Sequence, residues 1–251
     1  MSTNRPFVLT IAGLDPSAGA GVLADVKTFE QHCVYGFAIN TGNTIQTENI
    51  FYEMQWTDLI FVLKSLDKLF NNYMIKAVKI GIVPSLDYLK DIVFTIKKLS
   101  SKTKIVWDPV LKSSTNFNFL TIENQFTLIE ILRNIDLITP NYNEILKLLP
   151  QKISEENIAE ELSKHCSILL KGGHNPEVIG TDYLYNKNER ITINPKTTTI
   201  IEKHGSGCVL SSAITANLAL NYDLVISCQK AKIYIENYLN SNKTQLGYHY
   251  V

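Results

Sequence analysis

Short apolar runs that stop abruptly at glycine or polar residues alternate along the chain with stretches whose apolar positions recur every three or four residues. Phe7 to Ala12 is the first such run and ends at Gly13, as a buried parallel strand does. Pro16, Gly19 and Gly21 then break the chain, and Val22, Val26 and Phe29 recur at helical spacing as far as Cys33. Gly36 to Thr41 reads as a second strand. Leu59, Val62, Leu63, Leu66 and Leu69 line one face of a helix predicted over Trp56 to Phe70, which leads into a strand from Ile75 to Gly81. The same order recurs three times more: Leu86 to Leu99 before Lys104 to Trp107, Thr121 to Asn134 before Asp136 to Thr139, and Glu155 to His165 before Ser167 to Lys171.

Strands alternating with helices predict βαβ crossovers, and so an α/β fold with a mainly parallel central sheet and helices on both faces. Thr181 to Asn194 differs. There Tyr183-Leu184-Tyr185 and Ile191-Thr192-Ile193 flank a polar Asn186 to Arg190, which predicts an antiparallel hairpin. Two helices close the pattern, Gly207 to Leu220 and Leu224 to Leu239. With no repeat, low-complexity tract or linker, residues 1–251 read as a single domain.

Composition narrows the partners. Lys plus Arg equals Asp plus Glu, at 24 each, so no overall field holds nucleic acid or an anionic membrane, and a small neutral or anionic ligand fits better. Cys33, Cys166, Cys208 and Cys228 form no C-x-x-C pair and no zinc-ligand spacing with the histidines, which suits a reduced cytoplasm. Met1 to Pro6 leads straight into the first strand without the apolar segment of a signal peptide. No run approaches the roughly 18 apolar residues of a membrane span.

In open α/β sheets ligands bind outside the carboxyl ends of the strands. In this chain those positions are polar and glycine-rich: Gly13 to Gly21, Asn43 to Gln46, Gly81, Asp108-Pro109, Pro140-Asn141 and Gly172-Gly173. Any one alone is a strand-to-helix turn with a cap. There is no G-x-x-x-x-G-K-[ST] sequence, and Gly13 to Gly21 lacks the G-x-G-x-x-G order of a dinucleotide site. The most informative segment is His204-Gly205-Ser206-Gly207-Cys208-Val209, where a small-residue turn opens an apolar helix. Free N–H donors and the partial positive charge of a helix N-terminus make an anion site suited to a phosphate. Cys208 falls in the first turn, where a thiol pKa is expected below its usual value of about 8.5. The alternative is a small apolar residue packing the helix on the sheet.

These residues resemble the hydroxymethylpyrimidine and phosphomethylpyrimidine kinases of thiamine biosynthesis, in the ribokinase-like superfamily. The matching pieces, in order, are Thr10 to Gly13, Asp15-Pro16-Ser17, Gly19-Ala20-Gly21, Ala24-Asp25 with Lys27-Thr28-Phe29, Tyr35-Gly36, Lys79-Ile80-Gly81, Asp108-Pro109-Val110, Thr139-Pro140-Asn141 with Glu144, Lys171 to His174, and His204 to Cys208. The resemblance implies a three-layer ribokinase-like kinase domain that moves the ATP γ-phosphate to the hydroxymethyl group of the pyrimidine, and then to the monophosphate. It implies Cys208 as catalytic base, the amides of Gly205, Ser206, Gly207 and Cys208 as anion hole, and Lys171 along the phosphates. Asn141, Glu144 and Asp108 would serve the nucleotide phosphates, with Mg²⁺ held by Glu144 and Asp108 directly or through water. Gln46, Asp25, Gly13, Ala20, Ile82 and Val110 would hold the pyrimidine, and a homodimer is the expected assembly.

Residue chemistry gives these roles independent footing. Gln46 offers donors and an acceptor to an aminopyrimidine edge, although a loop glutamine in solvent has the same sequence. Glu144 lies one helical turn past Asn141 and supplies the oxygen that Mg²⁺ prefers, although the pair also suits a helix cap. Lys171 ends an apolar strand and either enters the cleft or reaches out to solvent. His165, His174 and His204 have no partner visible in the sequence and read as structural. Leu14, Ala18, Lys112 to Asn116 and Glu202-Lys203 depart from the family pattern, which bears on loop contacts and ATP affinity. The rivals are a pyridoxal or pyridoxine kinase, and a non-catalytic ligand-binding protein on the same scaffold.

Overall fold

The computed structural model describes residues 4–113, 117–150, 154–175, 178–187, 189–196 and 201–250. Met1 to Thr3 and the departures at Ser114, Thr115 and Asn116 lie outside them. The elements run β1 (Phe7–Leu14), α1 (Gly21–Gln31), β2 (Tyr35–Gln46), β3 (Phe51–Trp56), α2 (Leu59–Asn72), β4 (Ile75–Ile80), α3 (Leu86–Leu99) and β5 (Lys104–Trp107). They continue with α4 (Gln125–Leu132), β6 (Leu137–Ile138), α5 (Tyr142–Leu148), α6 (Glu155–Ser163), β7 (Ser167–Leu170), a 3-10 turn (Gly172–His174), β8 (Asp182–Asn186), β9 (Glu189–Ile193), α7 (Ser206–Ala219) and α8 (Leu224–Leu239).

Among the described residues these strands form one nine-stranded sheet in the order β3-β2-β1-β4-β5-β6-β7-β8-β9. From β2 across to β7 the neighbours are parallel; β3, β8 and β9 pair antiparallel at the two edges. Alternation along the strands divides the core. Leu9, Ile11, Val78, Ile80, Ile105, Trp107, Ile168 and Leu170 pack with α2 to α6. The intervening Val8, Ala77, Val106, Leu137 and Leu169 pack with α1, α7 and α8 on the opposite face. Period-two alternation with both faces buried is what a parallel sheet between two helical layers requires.

Three details correct the sequence reading. β2 does not stop at Thr41 but continues to Gln46 and turns back as β3, so Trp56 belongs to a strand. The following helix begins only at Leu59, where the Asp58 side chain accepts from the Phe61 amide. α4 is shorter than expected because Asn124 caps it, and α5 is a separate helix capped by Asn141. The hairpin of β8 and β9 forms as expected.

Candidate active site

The helix caps separate two kinds of N-terminus. Asp58, Ser85, Asn124, Asn141, Ser154 and Asp223 each place a side-chain oxygen on a free amide of α2, α3, α4, α5, α6 and α8. α1 and α7 begin at Ala20 and Gly205 with no side-chain cap. These two follow the glycine-rich segments; the Gly21 amide of α1 is on the Cys208 thiol and the Ser206 amide of α7 donates to the Lys203 carbonyl, so the amides of Gly207 and Cys208 are the ones left for a ligand. Gly205 has φ +75, and a Cβ there would meet Gly19 O at 2.0 Å, so glycine is needed for both conformation and approach. Gly207 faces the opposite way, toward charge: a Cβ would lie 3.2 Å from Lys171 Nζ and 3.6 Å from Asp108 Oδ2.

Those two side chains come from the carboxyl ends of adjacent parts of the sheet. Asp108 follows β5, and its Oδ1 accepts from Lys171 Nζ at 2.8 Å and from Thr139 Oγ1 at 2.9 Å. Lys171 follows β7 and also stands 3.5 Å from Glu144 Oε2, so it turns into the cleft. Glu144 and Asn141 form a complete capping box at α5, with the Asn141 amide donating to Glu144 Oε2 at 2.7 Å. The cap reading of this pair therefore holds, with the Glu144 carboxylate at the same time on Lys171. Burial opposes charge here, but Lys171 and Lys79 outweigh it at Asp108 and hold that carboxyl below the ordinary range. At Glu144 burial, reinforced by Asp108, wins over Lys171 and raises the carboxyl. Burial would lower the Lys171 ammonium, yet Asp108 and Glu144 raise it above its ordinary value. No group of three or more His, Cys, Asp or Glu side chains among the described residues could hold a metal. The oxygens of Asp108 and Glu144 suit a Mg²⁺ whose other ligands are phosphate and water, as that ion prefers.

Asp25 lies deeper than its expected role on the pyrimidine requires. It is 0% exposed, and its carboxylate already accepts from Thr10 Oγ1 at 2.5 Å, Ser212 Oγ at 2.6 Å and Lys79 Nζ at 2.9 Å. Lys79, also 0% exposed, has no role in the sequence reading. β4 carries two lysines, Lys76 exposed and Lys79 buried, and the signal for Lys79 was its place next to Val78 and Ile80 in the apolar part of the run, where a buried charge requires a partner.

Of the remaining expected ligand residues, Gly13, Ala20, Ile82 and Val110 lie at or just beyond the carboxyl ends of β1, β4 and β5. A Cβ on Gly13 would meet Ile82 Cδ1 at 2.4 Å, and one on Gly205 would meet Ala20 Cα at 2.7 Å. Val110 lies two residues past Asp108, its amide donating to the Asp108 carbonyl. Gln46, half-buried, ends β2 opposite Phe51 of β3, and Thr44 beside it donates to Leu14 O. Gln46 is thus carried by an edge hairpin above β1.

His204 is not without a partner. Its Nε2 lies 2.8 Å from Asp15 Oδ2, and Asp15 also accepts from the Ser17 and Ala20 amides and the Ser17 hydroxyl. Burial works to raise the Asp15 carboxyl, but bonds from His204 and Ser17 hold it below the usual range. The segment before α1 is thereby tied to the segment before α7. Lys203, one of the departures, is buried and donates to Asn242 O at 2.6 Å and to Thr244 O, fastening residues 242–246 beside the same turn.

The expectation of an acidified Cys208 is overturned. Burial pushes its thiol up to about 11, with Asp25 and Asp108 adding and with Lys79 and the Gly21 amide opposing. A helix N-terminus alone does not ionise a desolvated thiol beside two carboxylates.

A profile of the family described as phosphomethylpyrimidine kinase matches residues 15–251. The chain is 34% identical over 251 residues to the hydroxymethylpyrimidine/phosphomethylpyrimidine kinase of Aquifex aeolicus (strain VF5), covering 96% of this chain and 98% of that one. It is similar in structure to the phosphomethylpyrimidine kinase of Clostridium difficile 630, with TM-score 0.77 and 32% identity over 92% of this chain and 98% of that chain. It is also similar to the ADP complex of Bacillus subtilis pyridoxal kinase, with TM-score 0.82 and 26% identity over 94% and 92%. The three-layer fold is ribokinase-like. With a family profile covering nearly all of it and relatives matched end to end, this chain belongs to the phosphomethylpyrimidine kinase family.

Proposed function

We propose that this protein is an ATP-dependent kinase that phosphorylates 4-amino-5-hydroxymethyl-2-methylpyrimidine and then its monophosphate. The observation that carries the reading is the uncapped N-terminus of α7 meeting Lys171 and Asp108 at Gly207. That space is lined by amides and an ammonium, and it suits a phosphoryl group in transfer.

In the proposed reaction the acceptor oxygen bonds to the γ-phosphorus as the bond from that phosphorus to the β,γ-bridging oxygen breaks. The amides of Gly207 and Cys208, with Lys171, take up the charge on the phosphoryl oxygens. Asp108, Asn141 and Glu144 fix Lys171 and the phosphate end, where Mg²⁺ would supply further charge neutralisation. Gln46, Gly13, Ala20, Ile82 and Val110 surround the pyrimidine, with Asp25 acting from beneath. Because the transition state is loose, the acceptor proton can leave late, passing to an oxygen of the transferred phosphoryl group and from there to solvent. Cys208 then serves as a hydrogen-bonding partner of the acceptor hydroxyl rather than as an ionised base, in keeping with its raised pKa.

A pyridoxal kinase is the second reading, favoured by the likeness to the Bacillus subtilis enzyme. Location in the cytoplasm, a homodimer and the absence of nucleic-acid partners belong to the same proposal; no helix among the described residues is long and apolar enough to cross a membrane. The test is mass spectrometry of products from ATP, Mg²⁺ and either the pyrimidine or pyridoxal. Pyrimidine mono- and diphosphate are expected. Preference for pyridoxal would replace the substrate, and ATP left intact with both alcohols would leave a ligand-binding protein.

A further inference from the structure

Two adjacent serines of α7 reach two different buried carboxylates. Ser211 Oγ lies 3.4 Å from Asp108 Oδ2, and Ser212 Oγ donates to Asp25 Oδ1 at 2.6 Å. Ser211 also donates back to the Gly207 and Cys208 carbonyls. The single Ser211 hydroxyl proton is drawn to those nearer helix carbonyls, so the bond that ties the first turns of α7 to another element is that of Ser212 to Asp25. That bond depends on Lys79, whose Nζ lies 3.1 and 2.9 Å from the two Asp25 oxygens. Asp25 stands on α1, Lys79 on β4, Thr10 on β1 and Ser212 on α7, so one carboxylate joins four elements. Burial would lower the Lys79 ammonium, but Asp25, with Cys208 and Asp108 beyond it, holds it charged.

We propose that Lys79 is a positioning residue for phosphoryl transfer, acting through Asp25 and Ser212 to hold the α7 anion end in register with Lys171. It rests on the kinase reading above for its catalytic consequence, but not for its effect on Cys208. The charged and titratable groups around that thiol are Lys79 from β4, Asp25 from α1, Asp108 after β5, Lys171 after β7 and Tyr238 from α8. Of the two cations, Lys171 is shared between Asp108 and Glu144, whereas Lys79 has Asp25 as its ion-pair partner.

The test uses the full chain with Lys79→Met, Lys79→Arg and Ser212→Ala, read by steady-state kinetics and by the pH dependence of Cys208 alkylation with iodoacetamide. Lys79→Met should shift the alkylation profile upward by about one pH unit, and Lys79→Arg should return it toward wild type. Ser212→Ala, a small change that leaves the ion pair in place, should lower kcat about tenfold with KM within about twofold. A role confined to stability would lower the melting temperature and leave both readouts of the folded protein unchanged, which overturns the proposal. Where Lys79→Met does not fold, Ser212→Ala decides: unchanged kcat is the overturning result. If the wild-type protein phosphorylates neither alcohol, the kinase reading falls while the upward shift of the Lys79→Met alkylation profile, and its reversal in Lys79→Arg, still decide the inference.

Discussion

A Cβ added to Gly207 would lie 3.2 Å from the ammonium of Lys171. Besides Asp108 Oδ2 at 3.6 Å, it would meet nothing else within 4 Å outside its own helix among the described residues. A methyl group there fills the space in front of the ammonium without pressing on backbone. Gly205 is the contrasting case, since its Cβ would run into the Gly19 carbonyl at 2.0 Å and force the two glycine-rich segments apart. Replacing Gly205 therefore mixes folding with catalysis, whereas replacing Gly207 separates them.

The state of Cys208 follows from its surroundings. With its thiol pushed up to about 11, it should react slowly with iodoacetamide at neutral pH, and the rate should climb without a plateau until about that pH. A midpoint near pH 8 or below, corrected for the other cysteines with Cys208→Ala, would show an ionised base and restore the role expected from the helix terminus.

Asp15 gives a pH dependence of stability. Its folded-state carboxyl is held below the ordinary value, with His204 and Ser17 overcoming burial. Its contribution is thus complete above the unfolded pKa of about 3.9 and is lost as pH falls through the lower folded value. His204→Ala should cost about 2 kcal/mol near neutral pH. The same variant should flatten the fall in melting temperature between about pH 4 and pH 2. Parallel melting curves for variant and wild type across that window would refute the pairing as a source of stability.

Ala18 occupies a conformation that suits glycine, with φ 58. Left-handed backbone costs an alanine about 1 kcal/mol or more, partly offset by the stiffer unfolded chain. Ala18→Gly should therefore raise stability by up to about 1 kcal/mol in chemical denaturation. A lower denaturation midpoint would mean that the segment before α1 carries no such strain.

The layered fold was legible because strands buried on both faces produce runs like Phe7 to Ala12, and helices on one face produce the spacing seen from Leu59 to Leu69. β3 was not legible. As an edge strand it is exposed at Tyr52, Glu53 and Gln55 and only half-buried at Phe51, Met54 and Trp56, so its apolar pattern is weak, and Trp56 read as the start of the next helix. At the site, residues adjacent in sequence such as Gly205 to Cys208 or Asn141 with Glu144 could be found by spacing. The Asp15–His204 contact spans 189 positions and could not. Asp25 and Cys208 show a third kind of miss, because residue type marks what a group can do while burial decides whether it does so. Lys79 was within reach of sequence reasoning, since an ammonium among Ala77, Val78 and Ile80 has to be paired.

The account turns on the α7 amides and Lys171, rather than an ionised Cys208, as the main source of transition-state stabilisation. The direct test is to compare kcat/KM for Gly207→Ala and Cys208→Ala with wild type, alongside their melting temperatures. Alanine is the better helix former by about 1 kcal/mol, so Gly207→Ala should melt no lower than wild type. Its activity should nonetheless fall by about 10²-fold or more, a loss of the size seen when an anion-hole donor is removed. Cys208→Ala should lose less. Near-wild-type activity in Gly207→Ala, with the larger loss in Cys208→Ala, would contradict the account.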